Sequence, residues 1–319
     1  MKKCLILFLV LMVLVSGIFA SGRKETQTII RFPTAGTSGA LYSIGAAIAN
    51  LWNTKIPEVS ASSQASAGGI DNLNQIADGE SQVSIAISSN CWQSYNGTGP
   101  FENYANTKLR VIAGLYFNPN QVVVTKRSGI NTLTDIKGKR FAVAAAGSSV
   151  EGECRSHFTA AGLKYPDDIK AEYLAFSDSS ELLRSGQLDG AWIMSGVPAA
   201  AVNEALASKC RLLSIDDDII EKLQEEFPWY VSYTIPANTY PNQSEDVQTT
   251  AIKMVMFCSS DLDDEVVYKL TKVFWENIKE LESSQSSLKG LTPEAAVQDI
   301  AGLPIHEGAI KYYQEIGVL

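Results

Sequence analysis

One unit recurs along this chain: a short apolar run, a loop of Gly, Ser and Thr, then a helical pattern. "TIIRF" leads into "TAGTSG" and a helical stretch over about 40–51, and "RFAVAAAG" leads into "SSV" and a helix over about 150–161. "VSASSQAS" runs to Gly68-Gly69 and a helix with Ile70, Leu73 and Ile76 on one face, and "QVSIAIS" runs to "SSN". Strand, glycine-bearing loop and helix in this order predict an α/β fold with mainly parallel sheets. "AEYLAF" and "LDGAWIM" read as further strands around the helix "SSELLRSG".

The second series repeats the first, and 319 residues with 45% hydrophobic content can bury one large core or two moderate ones. Two lobes follow. "LYFNPNQVVV" would carry the chain from lobe one to lobe two, and "YVSYTIPANTYP" would bring it back. The expected division is 28–118 plus 238–319 for lobe one and 119–237 for lobe two, with hinges near 116–121 and 233–237.

The N-terminus has its own pattern. Lys2 and Lys3 precede an apolar run and then small residues ending at Ala20, the pattern of a secretory signal over 1–20, followed by a polar tether over 21–27. An uncleaved membrane anchor is the alternative. The expected location is periplasmic. Net charge is −9, and removing the leader takes two lysines and no acid, leaving 24 basic against 35 acidic residues, or −11. So acidic a chain repels phosphate backbones, which argues against a nucleic-acid partner. Cys91, Cys154, Cys210 and Cys258 are scattered without a CxxC pair and read as buried thiols, not a metal site.

A strand that enters a helix through Gly-Thr-Ser-Gly aims free N–H groups and a partial positive charge at whatever lies above it. Such a terminus binds anions without a cation. The loop Gly36, Thr37, Ser38, Gly39 holds no Lys or Arg and lacks the Walker and dinucleotide patterns, so a carboxylate suits it better than a polyphosphate. A helix cap alone is the plainer reading of any one such loop; recurrence in four loops favours a ligand site. Tyr42, Trp92, Tyr116 and Trp192 could wall it. Catalytic patterns such as H-E-x-x-H and G-x-S-x-G are missing from the sequence, and neither a catalytic role nor a cofactor is expected. Asp216, Asp217 and Asp218 read as a helix cap, and His157 as a surface or packing residue.

The stretches "AGTSGALYSIGAAIAN", "SAGGIDNLNQIADGE", "LTDIKGKRFAVAAAGSSVEGECRSHFTAAGL", "SGQLDGAWIMSGVPAAAV", "FPWYVSYTIPANTYP" and "GLPIHEGAIKYYQEIGV" together resemble the TAXI-type solute receptors of tripartite ATP-independent periplasmic (TRAP) transporters. The resemblance implies a two-lobed periplasmic binding protein fold of type II, with mixed or parallel sheets flanked by helices and two chain crossings. It implies a non-catalytic receptor that passes a small organic acid or acidic amino acid, similar to glutamate, glutamine or 2-oxoglutarate, to TRAP permease subunits. The alternative is the receptor of an ABC importer with the same fold and a thiamine-precursor-like ligand. Carried onto this sequence, the ligand site comprises Gly36, Thr37, Ser38, Gly39, Tyr42, Ser66, Ala67, Gly68, Gly69, Ser88 and Tyr116 from lobe one. Gly147, Ser148, Ser149, Val150, Gly196 and Pro198 come from lobe two. Ala40 and Leu41 depart from the family's glycine-rich first loop, and that departure bears on ligand identity.

Overall fold

The computed structural model describes residues 27–37, 40–227 and 229–319. The leader over 1–20 and nearly all of the tether lie outside the described residues, as do Ser38 and Gly39. β1 (Thr28–Pro33) and β2 (Val59–Gln64) form a parallel pair joined by α1 (Ala40–Lys55). α1 buries Ile44, Ile48, Leu51 and Trp52, the repeat of a helix with one apolar face. α2 (Gly69–Ala77) follows, then β3 (Val83–Ile87), which passes without a loop into α3 (Ser88–Asn96).

β4 (Leu109–Thr125) is one strand of 17 residues. Its first part pairs antiparallel with β10 (Val247–Ser259), from Leu109↔Ser259 to Pro119↔Ala251. Its last part pairs antiparallel with β7 (Gly190–Met194) on one edge and β8 (Cys210–Leu213) on the other. Pro119, which lacks an N–H, sits where the partner changes, so no ladder bond is lost in mid-pairing.

The remaining elements are built on these two strands. β5 (Arg140–Ala142), α4 (Ser149–Ala160), β6 (Lys170–Glu172) and α5 (Phe176–Ser185) precede β7. α6 (Ala200–Leu206), α7 (Asp217–Glu226) and β9 (Val231–Ile235) lie between β7 and β10. β9 pairs with the first half of β10, and β3 with its second half, both antiparallel. α8 (Asp264–Glu276), α9 (Ile278–Ser284), the short α10 (Pro293–Ala296) and α11 (Glu307–Glu315) complete the chain.

The mainly parallel sheet expected from the sequence is therefore corrected. Among the described strands, parallel ladders are β1–β2, β5–β6 and β5–β7, while every ladder made by β4 and β10 is antiparallel, with one isolated parallel bridge between Val111 of β4 and Ile305. Two long strands running in opposite directions impose that geometry on their neighbours. "AEYLAF" is a strand only over Lys170–Glu172, because Phe176 begins α5 and packs with Leu174 against the core of Leu183, Leu188 and Ala191. Asp216 is the N-cap residue of α7, as its acidic run suggested, and Gly186 ends α5 in the left-handed conformation. Cys91, Cys154, Cys210 and Cys258 are all buried and unpaired. No described helix is long and apolar enough to cross a membrane.

Candidate functional site

The expected site residues fall into three groups. Gly36 and Thr37 are exposed beyond β1, and Tyr42 is half-buried on α1. The second loop uses its donors on itself: Gly68 N–H donates to Ser66 Oγ at 3.1 Å and Ala67 N–H to Asp71 Oδ2 at 3.0 Å. The loop before α4 does likewise. Ser148 is the N-cap and accepts from Glu151 N–H, while Gly147 N–H donates to Glu151 Oε2 at 2.8 Å. Glu151 also binds Arg155 and Tyr165; burial works to raise its pKa, but these bonds outweigh it and hold the carboxyl below its ordinary range. That carboxylate already occupies part of the positive end of α4.

The second group joins elements far apart in the chain. A Cβ on Gly69, the first residue of α2, would lie 3.1 Å from Ser149 Oγ at the start of α4. A Cβ on Gly196, after β7, would lie 2.5 Å from Ser287 Oγ and 3.6 Å from Tyr116 Cε2. The start of α2 thus touches the start of α4, and the turn after β7 touches Ser287. Val150 is half-buried beside Ser149, whereas Pro198 is exposed. Trp192 does not wall a cleft: it is fully buried, with Nε1 donating to Asn120 Oδ1.

The third group is at α3. β3 runs directly into it, so the N-cap residue is Ile87, which has no side chain able to cap. Ser88, Ser89 and Asn90, at most 6% exposed, follow as its first turn, and Ser88 Oγ, Ser89 Oγ and Asn90 Oδ1 are buried without a hydrogen-bond partner. Ser149 Oγ and, on β4, Asn118 Oδ1 share that condition. A buried polar atom left unpaired costs about 1–3 kcal/mol, so three such oxygens on one helix turn single out the start of α3 as the candidate site.

Ser88 was legible as a hydroxyl after a strand. Ser287 and Trp229 were not, because they meet Gly196 and Trp92 from distant parts of the chain. Trp229 and Trp92 touch with ring centroids 5.5 Å apart. Beside them opens a cavity of about 580 Å³, lined also by Asp299, Ile300, Leu303 and Ile305, which flanks the α3 terminus without including it. Among the described residues, a buried cation lies on β10: Lys253 Nζ donates to the carbonyls of Ala295 at 2.6 Å and Gln298 at 2.9 Å, and burial lowers its pKa. Its donors hold the 295–298 turn.

The sequence profile of the NMT1-like family matches residues 32–317, and the chain belongs to that family. Solved structures share its fold. The periplasmic aliphatic sulphonate binding protein SsuA of Escherichia coli is 17% identical with a TM-score of 0.50, over 90% of this chain and 82% of its own. A protein of Bordetella bronchiseptica RB50 is 16% identical with a TM-score of 0.56, over 91% and 98%. A putative L-cystine ABC transporter protein of Listeria monocytogenes is 12% identical with a TM-score of 0.50, over 82% and 97%. The architecture is that of type II periplasmic binding proteins.

Proposed function

We propose that this member of the NMT1-like family is an extracytoplasmic solute receptor that captures a small carboxylate between two lobes and delivers it to a TRAP permease. The lobes in this reading are 28–118 with 238–319, and 119–237. The observation that carries the proposal is the first turn of α3, where Ser88, Ser89 and Asn90 present buried, unpartnered oxygens beneath an apolar N-cap. A ligand carboxylate placed there would accept from the two hydroxyls and from first-turn N–H groups, with the helix dipole in its favour. Ser149 would reach it from the other lobe. Because Glu151 already takes Gly147 N–H, α3 supplies more of the binding than α4.

A receptor for an ABC importer is the second reading, favoured by the fold shared with the putative L-cystine ABC transporter protein of Listeria monocytogenes. Both readings use the same capture step, and reconstitution with each class of permease separates them. Capture itself is tested by a thermal-shift screen of amino acids and 2-oxoacids. A ligand at 100 times its Kd stabilises the folded state by about 2.7 kcal/mol. Stabilisation by neutral sugars or cationic amines alone would contradict the carboxylate assignment.

A further inference from the structure

One edge of the sheet carries a charge opposite to that of the whole chain. The strands there run in the order β6, β5, β7, β4 and β8; β4 ends at this edge and the other four begin at it. Arg140 of β5 stands opposite Lys170 of β6, and Thr125, the last residue of β4, opposite Cys210, the first of β8. One residue further out, Lys126 N–H donates to the Lys209 carbonyl at 2.9 Å. Gly138 N–H reaches the Asp168 carbonyl and Thr125 N–H the Asp189 carbonyl, so the adjoining turns belong to the same edge. At about 4.8 Å between strands, the row is about 19 Å long.

The segments 125–140, 164–170, 184–189 and 209–211 hold ten Lys and Arg against four Asp, a charge of +6 in a chain of −9, which leaves −15 for all the rest. Counting Glu172, Glu181 and Glu204 from β6, α5 and α6 as well still leaves +3. Structural duty accounts for part of this charge. Arg127 donates to the carbonyl of Gly186, which ends α5, Arg211 to the carbonyl of Ile130, and Lys139 Nζ to that of Ser128 at 2.7 Å. Lys137 pairs with Asp168 at 3.0 Å, and Asp135 and Asp189 accept from backbone N–H groups. The side chains of Lys126, Arg140, Lys170 and Lys209 are exposed and, among the described residues, make no hydrogen bond or ion pair. Arg140 and Lys170 are neighbours in register with like charge, an arrangement that costs stability.

We infer that this edge is a docking surface for anionic phospholipid headgroups, which hold the protein against a membrane. That the membrane is met from its extracytoplasmic side rests on the receptor reading above; the lipid contact itself does not. Ile130, Leu133, Ile169, Leu188 and Cys210, the apolar residues of these segments, are all buried, so what the edge presents is charge. Peptide recognition commonly adds an apolar groove or side-chain pockets, whereas a headgroup surface is recognised by a cluster of cations alone. The attachment leaves the candidate site free. α4 ends on the side of Lys164, and its first residue, Ser149, lies about 18 Å away along the helix axis.

Co-flotation with vesicles of phosphatidylglycerol and phosphatidylcholine tests the surface directly. At about 0.1 M salt, where the Debye length is about 10 Å, the wild-type protein should float with the mixed vesicles and not with phosphatidylcholine alone. At about 1 M salt, where that length is about 3 Å, it should stay behind. Each cation at such a surface strengthens binding about fivefold, so Lys126→Gln, Arg140→Gln, Lys170→Gln and Lys209→Gln together should weaken it by at least about 100-fold. Their melting temperature should be unchanged or raised, because like charges are removed and no partner is lost. Lys55→Gln, Lys108→Gln, Lys222→Gln and Lys289→Gln remove the same charge elsewhere and should weaken binding far less. Should the fourfold edge variant not fold, Lys126→Gln with Lys209→Gln, and Arg140→Gln with Lys170→Gln, should each weaken binding about 25-fold. Equal losses for edge and control variants overturn the inference, as does a wild type that does not float. Flotation with phosphatidylcholine alone assigns the attachment to the leader and overturns it too. Retention on immobilised polyglutamate without vesicle binding assigns the edge to an acidic protein partner and overturns the lipid assignment.

Discussion

Gly196→Val places a side chain against Ser287 and Tyr116. The new Cβ would lie 2.5 Å from Ser287 Oγ and 3.6 Å from Tyr116 Cε2. The Ser287 hydroxyl can swing aside, but the added methyls of valine then press on the buried Tyr116 ring. Overpacking of this kind costs about 1–3 kcal/mol. If the lobes close on ligand, that cost falls on the closed form alone, and affinity should drop about 5- to 140-fold. Gly196 has no positive φ, so valine adds no backbone strain in the open form. Calorimetric titration with a hit from the screen, paired with melting of the ligand-free protein, separates the two effects. Wild-type affinity, or a melting loss as large as the binding loss, would refute the claim that this contact belongs to closure.

Trp192→Phe removes the donor to Asn120 Oδ1 at a fully buried position, so urea unfolding should show a loss of about 1–3 kcal/mol. Gly308→Ala should be at least as damaging, by about 2–3 kcal/mol in the same assay, because its Cβ would sit 2.1 Å from the Asp264 carbonyl oxygen and 2.8 Å from Tyr268 N. Those atoms are backbone, and α8 and α11 would have to separate.

The layout of the fold was legible because strand, small-residue loop and helix are local signals. α1, α2 and α4 begin within a residue of where hydroxyl or glycine residues precede an apolar face. The direction of the sheet was not, since β4 and β10 pair across more than 120 residues and no local pattern encodes that register. "LYFNPNQVVV" looks interrupted at Asn118-Pro119, yet the strand continues because a change of partner makes the missing N–H harmless. In the site, Ser88 could be read from its place after β3. The local use of Gly147 N–H by Glu151 could not, since Glu151 reads equally well as an ordinary first-turn acid. Ser287 and Trp229 come from segments whose own patterns indicate only helix ends and turns.

The central claim is that the first turn of α3 holds a ligand carboxylate, and Ser88→Asp tests it most directly. The new carboxylate would take the place of the ligand's own and would itself be favoured by the helix dipole by roughly 0.3–1 kcal/mol, up to about 2 where partly buried. Calorimetric titration of this variant should show binding abolished while the ligand-free protein still melts cooperatively, its melting temperature lowered because the new carboxylate stands at a fully buried position. Wild-type affinity for the same carboxylate would place the ligand elsewhere and contradict the account.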